Sequence, residues 1–194
     1  MNARKKAILT GMILGDAFLQ KTGRKLEHSQ KQKEYIIWKA HLFPEYFQGS
    51  LKELVRYNPV YKKEYHYVRW QSNSSPVIGQ FHRMFYIDGK KIIPKELPKL
   101  LTTPESLAVW YMDDGYLSLD KMAYIYLPKY TKEEQDVLLF TLKENFGLEA
   151  KIIVKKRGES VLRFTVSETQ KLIALVDNHI IPSMQYKRLK PRID

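Results

Sequence analysis

Residues 9–19, Leu-Thr-Gly-Met-Ile-Leu-Gly-Asp-Ala-Phe-Leu, return later in the chain as residues 107–117, Leu-Ala-Val-Trp-Tyr-Met-Asp-Asp-Gly-Tyr-Leu. The offset is constant: Leu9 falls on Leu107, Leu14 on Met112, Asp16 on Asp114, Phe18 on Tyr116 and Leu19 on Leu117. Each copy is an apolar helical run that ends on an acid. A carboxylate at the foot of a core helix costs several kcal/mol unless a metal or a cation compensates it. Two helices that pack side by side, as Gly11 and Gly15 at i, i+4 permit, would bring Asp16 and Asp114 out together at one end of their seam. Paired hard oxygen ligands of that kind suit Mg²⁺, which takes one or two carboxylates plus waters and phosphate oxygens. A plainer reading also fits either copy alone: Asp16 ends a core helix and Asp114-Gly115 is a turn. The matched recurrence weighs against it.

The period of about 98 residues is that of a duplicated domain, not a solenoid. Residues 4–16 read as a helix with Ile8, Met12 and Gly15 on one stripe, flanked by Leu9 and Ile13. A polar, basic hairpin turning at residues 21–24 follows, then a helix over 34–43 ended by Pro44, and a second hairpin over 51–73 turning near Asn58-Pro59. Lys52, Arg56, Lys62, Lys63 and Arg69 are expected on one face of that hairpin. Residues 77–86 form a short helix, and 97–104 read as a linker whose Thr103-Pro104-Glu105 opens the second repeated helix. The order then repeats: strands over 116–127, a helix over 132–146 with N-cap Thr131, Glu134 three residues on and Gly147 as its stop, a hairpin pairing 150–154 with 160–166, and a helix over 168–177. Lys91-Ile92-Ile93-Pro94 has an echo in His179-Ile180-Ile181-Pro182. The expected fold is α/β, in the α+β sense: a pseudo-twofold αββαββα duplication with halves 1–98 and 99–194, motif helices at the seam, and two antiparallel saddle-shaped sheets with one solvent face each.

A formal net charge of +12, from 33 Lys and Arg against 21 Asp and Glu, points to a polyanion and foremost to nucleic acid. The cations are spread through polar and aromatic segments instead of lining one amphipathic helix, and no apolar run approaches the roughly 20 residues of a membrane span. With no cysteine there is neither a disulfide framework nor a thiolate metal site. The basic N-terminus is followed by a run that Gly15-Asp16 interrupts and that lacks a small-residue cleavage site, so no signal peptide is read. The expected compartment is that of synthesis, a cytoplasm, nucleoid or organelle matrix, neither secreted nor membrane-bound.

The chain resembles the LAGLIDADG homing endonucleases, in particular the two-motif single-chain branch encoded in group I introns. Residues 9–17 match the motif with its acid at Asp16, and residues 107–115 match its branch-typical form ending Met-Asp-Asp-Gly. Ala17 departs from the usual terminal glycine, and Val109 stands where the first copy has Gly11, so asymmetric seam packing is expected. The resemblance implies a monomer that makes a metal-dependent, staggered break with 3′ overhangs in double-stranded DNA. Asp16 and Asp114 are implied as metal ligands, with main-chain oxygens of Gly15 and Asp113 beside them; the Asp113 side chain either serves the metal's surroundings or caps. Mg²⁺ is the implied ion, with Mn²⁺ as substitute. Lys91 and Lys187 match the lysines that the family places near the scissile phosphates, and His28 or Gln30 fits its polar strand residue. The second half shows Leu127-Pro128-Lys129 at that place.

Specificity is expected on the strands, where Arg and Gln read base edges and Lys takes phosphates. Candidate DNA contacts are Gln20, Lys21, Arg24, Lys25, Gln30 and Gln32 on the first hairpin, and Arg56, Lys62, Lys63, Tyr67, Arg69 and Gln71 on the second. In the other half they are Ser118, Lys121, Tyr124, Tyr126, Lys129, Lys151, Lys155, Arg157 and Arg163. For any one of them a solvated strand face is an equal alternative. Tyr57, Tyr61, Tyr65, Trp70 and Trp110 are expected to pack in core or sheet, and His41, His66, His82 and His179 to be structural. A maturase that assists intron RNA, or a non-cleaving DNA-binding protein on the same fold, is the alternative function; intact Asp16 and Asp114 favour the nuclease, because unmetallated carboxylates beside phosphates repel.

Overall fold

The computed structural model describes residues 1–21, 24–155 and 158–188, with the backbone alone for 24–30. Helix α1 (Ala3–Leu14) opens on Asn2, whose side chain accepts from Lys5 N at 2.8 Å, and is buried all round from Ala7 to Leu14. Strands β1 (Phe18–Leu19) and β2 (Arg24–Ser29), helix α2 (Lys33–His41), the hairpin β3 (Lys52–Asn58) and β4 (Lys63–Gln71), and helix α3 (Pro76–Phe85) complete the first repeat. A short hairpin, β5 (Tyr86–Ile87) and β6 (Lys90–Lys91), and a single helical turn, α4 (Leu97–Leu100), lie between the repeats. The second repeat runs α5 (Pro104–Asp114), β7 (Gly115–Leu117), β8 (Ala123–Leu127), α6 (Lys132–Phe146), β9 (Lys151–Val154), β10 (Ser160–Arg163) and α7 (Val166–Val176), followed by a 3₁₀ turn, Pro182–Lys187. No helix of the described residues is long and apolar enough to cross a membrane.

The two four-stranded sheets are antiparallel and share one strand order, β1-β2-β4-β3 and β7-β8-β10-β9, as a duplication requires. The caps that the sequence marks are in place. Thr103 and Ser106 form a capping box around Pro104, Thr131 and Glu134 form another, and Gly147 ends α6 in the left-handed region at φ 63°, with its N–H on the Lys143 carbonyl at 2.9 Å. Two expectations shift. Residues 97–104 are no free linker: Leu97 and Leu101 are fully buried, α4 packs on α6, and Asn145 Nδ2 donates to the Pro98 and Leu101 carbonyls at 2.8 Å each. The last strand stops at Arg163, because the Thr165 side chain accepts from Glu168 N and so starts α7 earlier than periodicity suggests.

By compactness the chain divides into residues 1–15 with 85–194, and residues 16–84. Helix α1 belongs to the first unit because it packs along α5. The halves 1–98 and 99–194 express the sequence duplication, which is a different partition. The α1–α5 seam is tight: a Cβ at Gly11 would stand 2.1 Å from the Ser106 carbonyl oxygen. Backbone cannot yield cheaply, so Gly11→Ala should cost roughly 3 kcal/mol in urea unfolding. Gly49, with nothing within 4 Å of its Cβ position, serves as control, and Gly49→Ala should stay within about 0.5 kcal/mol.

Candidate functional site

The site is built at the C-terminal ends of α1 and α5, which meet within one compact unit. Arg4 on α1 clamps the opposite end with a bidentate pair to Glu105, Nε on Oε2 at 2.8 Å and Nη2 on Oε1 at 2.7 Å. At the functional end a Cβ on Gly15 would fall 2.3 Å from Asp113 Oδ2, so the glycine leaves room for the neighbouring helix's acid. Asp113 and Asp114 are half-buried, and Asp16, the residue after Gly15, is exposed. Asp114-Gly115 is not a turn. Asp114 is the last residue of α5, and Gly115, with φ −81° and ψ 154°, is already extended backbone entering β7. Its lack of a side chain answers a close approach, since a Cβ there would lie 2.2 Å from Tyr111 Cδ2.

The last carbonyls of a helix have no partner within it and carry the negative end of its dipole. Lysines meet both sets. Lys91 Nζ donates to the Gly15 carbonyl at 2.8 Å; Lys187 Nζ donates to the Asp113 carbonyl at 3.3 Å, the Tyr111 carbonyl at 3.4 Å and the Met112 carbonyl. Lys91 is half-buried, whereas Lys187 is only 6% exposed. Both are held firmly. Glu134, through one oxygen on Thr131 N at 2.7 Å and the other on Ile93 N at 2.9 Å, ties the start of α6 to the segment just after Lys91. Tyr111 Oη donates to the Lys187 carbonyl at 3.0 Å, and Arg188 forms a bidentate pair with Asp177. Burial pushes the phenols of Tyr111 and Tyr130 well above the ordinary tyrosine range, and for Tyr130 the Glu134 and Asp114 carboxylates add to it. Tyr130, whose signal in the sequence is no more than a residue before an N-cap, is thus electrostatically coupled to a motif acid.

The oxygens present suit a hard divalent cation. The Gly15 and Asp113 carbonyls face ammonium groups, and a carbonyl oxygen is the kind of hard ligand such an ion takes. Among the described residues no three His, Cys, Asp or Glu side chains cluster to hold a metal by themselves. A Mg²⁺-like ion needs no such cluster when phosphate and water oxygens complete its shell.

The strands separate charge by register. Lys52 pairs with Arg69, Arg56 with Tyr65 and Asn58 with Lys63, so Lys52, Arg56, Lys63, Tyr65, Tyr67, Arg69 and Gln71 share one face of the first sheet. Glu53, Glu64 and the buried Val68 take the other. Arg56 lies 5.1 Å from the centre of the Tyr67 ring. Gln20, Lys21 and Lys62 are exposed, Lys62 in the β3–β4 turn at φ 48°. Gln30 and Gln32 are not on the first hairpin: β2 ends at Ser29, and they open and close a 3₁₀ turn whose Gln32 is the N-cap position of α2. Arg24, Lys25, His28 and Gln30, as side chains, and Arg157 altogether lie outside the described residues.

On the second sheet Tyr116, Tyr124, Tyr126, Arg163 and Lys151 share a face opposite Ala123 and Ile125, and Lys155 follows at the end of β9. Lys129 is exposed beyond β8. Ser118 and Lys121 form the β7–β8 turn, with the Ser118 hydroxyl between the Asp120 carboxylate and the Met122 carbonyl and Lys121 at φ 62°. Of the aromatics expected inside, Trp110 is 1% exposed, and Trp70 packs edge-on against His41 and Phe47, both at 6.2 Å. Tyr57, Tyr61 and Tyr65 are instead 61%, 68% and 40% exposed, because the distal half of the β3–β4 hairpin runs beyond the packing around Val68 and Trp70.

The model of the LAGLIDADG DNA endonuclease family matches residues 6–172. Over 94% of its length this chain is 30% identical to Protein RecA of Mycobacterium shimoidei, of which it covers 45%; it spans about half the length of the first curated relatives it matches. It is 29% identical to the probable intron-encoded endonuclease 1 of Wickerhamomyces canadensis, covering 93% of this chain and 82% of that one. The solved structure of the homing endonuclease I-WcaI bound to its DNA recognition sequence superposes with a TM-score of 0.86 at 26% identity, covering 97% of this chain and 87% of the other.

Two outcomes check the electrostatics. Lys187→Met takes a buried donor from the Met112 and Asp113 carbonyls and should cost about 2–3 kcal/mol in urea unfolding, whereas Lys91→Met, at a half-buried site, should cost less than about 1 kcal/mol. Because folding raises the pKa of Tyr111 and Tyr130, their contribution to stability is full below about pH 10, the unfolded value, and is lost as pH climbs above it. Ultraviolet titration should show these two phenols ionising only with unfolding.

Proposed function

The chain belongs to the LAGLIDADG DNA endonuclease family, and from that premise we propose that it is a monomeric homing endonuclease that makes a metal-dependent, staggered double-strand break with 3′ overhangs in a long duplex target. The observation that carries this reading is the meeting of the α1 and α5 C-termini, each followed by or ending on an acid and each with a lysine on carbonyls of its end. Asp16 and Asp114, with the Gly15 and Asp113 carbonyls, would hold Mg²⁺, or Mn²⁺ in its place. Such an ion supplies a bound water of lowered pKa and stabilises charge on the attacking and leaving oxygens of a phosphodiester.

The chain's own residues contribute position. Lys91 and Lys187 fix the helix ends, and through them the direction of the acids. His28 on β2, or Gln30 in the 3₁₀ turn just past it, supplies the polar group of the first half. The basic register faces of the two sheets take duplex DNA in the major groove, with Arg56, Arg69, Gln71 and Arg163 reading base edges and Lys52, Lys63 and Lys151 taking phosphates. Glu53 and Glu64 are kept off that face, and the charges that β3 and β4 give it are all positive, though Glu27 of β2 pairs with Arg69 on it. An RNA-assisting role makes no use of two acids beside phosphates. The compartment proposed is that of synthesis.

Cleavage of a randomised duplex library in Mg²⁺ checks the reading. One enriched sequence should be cut on both strands, a chelator should stop it, and Asp16→Asn or Asp114→Asn should each lower double-strand cutting at least about 100-fold. Tight, salt-sensitive binding with no cutting by the wild-type chain would instead identify a binding protein.

A further inference from the structure

Tyr116 on β7 and Tyr124 and Tyr126 on β8 form a rack on the outer face of the second sheet. Register explains it: Tyr116 pairs with Tyr124, and Tyr126, two residues on, returns to the same face. Tyr116 stacks on Tyr124 with centroids 5.0 Å apart and planes 9° from parallel, and on Tyr126 at 5.5 Å and 30°. Lys155 lays its ammonium across all three rings, 4.6 Å from the centre of Tyr116, 5.2 Å from Tyr124 and 4.9 Å from Tyr126. It also donates to Tyr116 Oη and, at 3.4 Å, to Tyr126 Oη. A lysine on a free four-carbon stem sweeps a wide volume; this one is held from several directions. The hydrogen bond it donates to Tyr116 raises the Lys155 pKa, so the group is charged at neutral pH.

The count of protons gives the cluster its chemistry. An ammonium has three donors and no acceptor. Toward it the Tyr116 and Tyr126 oxygens must therefore accept, which leaves both hydroxyl protons for other partners. One remaining ammonium N–H and two O–H groups then present donors around a single positive charge. Arg163 and Lys151, paired across β10 and β9 on the same face, extend that field. The complementary ligand is an electron-rich edge made of acceptors alone: the non-bridging oxygens of a phosphate, or O6 and N7 of guanine in the major groove.

We propose that Tyr116, Tyr126 and Lys155 act as one preordered donor cluster that binds an acceptor-only edge of the DNA target, and that the two hydroxyls, not the lysine charge alone, set its geometry. This inference rests on the reading that the chain binds and cuts duplex DNA. The test is fluorescence anisotropy of the full chain on its selected duplex and on single base-pair variants of it. Tyr116→Phe and Tyr126→Phe keep the ring and the charge; each should weaken binding about 3- to 10-fold, the worth of a hydrogen bond, with the melting temperature unchanged within a few degrees. Lys155→Met should weaken it more. Loss confined to one guanine position assigns the edge to a base, whereas uniform loss with the log–log salt slope reduced by about 1 assigns it to a phosphate. Phe variants that bind a tightly bound duplex as well as the wild type does would overturn the inference. A wild-type chain that binds no duplex would overturn the nuclease reading itself and this inference with it.

Discussion

Everything at the site depends on how closely two helices approach. Glycine inside a helix costs about 0.5–1 kcal/mol relative to alanine, and α1 carries one at position 11 and a second at its end. The return is backbone contact: Gly11 lies on the Ser106 carbonyl, and Gly15 lies against the Asp113 side chain. With the helix ends this close, their unpaired carbonyls would face one another across a narrow gap. Lys91 and Lys187 reach in and neutralise them, one for each helix. The same geometry sets Gly15 against Asp113, the neighbouring residues of the two motif acids.

The seam is complementary, not symmetric. Gly15 and Asp113 occupy equivalent places in the repeat, and one lacks a side chain where the other needs the space. Val109, fully buried, stands where Gly11 stands in the first copy. Such differences are available once both copies lie in one chain, because each position then mutates independently. The lysines show the same divergence: Lys187 is buried, with Tyr111 Oη on its main-chain carbonyl, while Lys91 is half open to water at the end of a short hairpin. Lys187 holds a helix end from within the core, whereas Lys91 holds one from a position partly open to water.

What was legible in the sequence is what short-range physics encodes. The motif helices, the Pro104 start of the second of them, the capping box at Thr131, the Gly147 stop and the alternation that gathers Lys52, Arg56, Lys63 and Arg69 on one face all follow from residues a few positions apart. The duplication supplied the rest of the topology. Features that join distant segments were not legible. Glu134 reads as half of a capping box, and nothing near it announces that its second oxygen holds Ile93. The burial of Lys187, the Arg4–Glu105 clamp and the folding of Lys155 onto three tyrosines depend on elements brought together only by the fold. Tyr57, Tyr61 and Tyr65 look like core residues because strand alternation cannot say where the covering layer stops.

The proposed function depends above all on the close approach of α1 and α5 that Gly15 makes possible. Single-turnover cutting by a folded Gly15→Ala variant on the selected duplex tests it most directly. An added Cβ must displace Asp113, and displacements of about 1 Å at a reacting centre cost on the order of 100-fold in rate. The expected result is a loss of that size with DNA affinity kept within a few-fold, partly restored by Asp113→Gly on the same background. Cutting at the wild-type rate by Gly15→Ala would contradict the account.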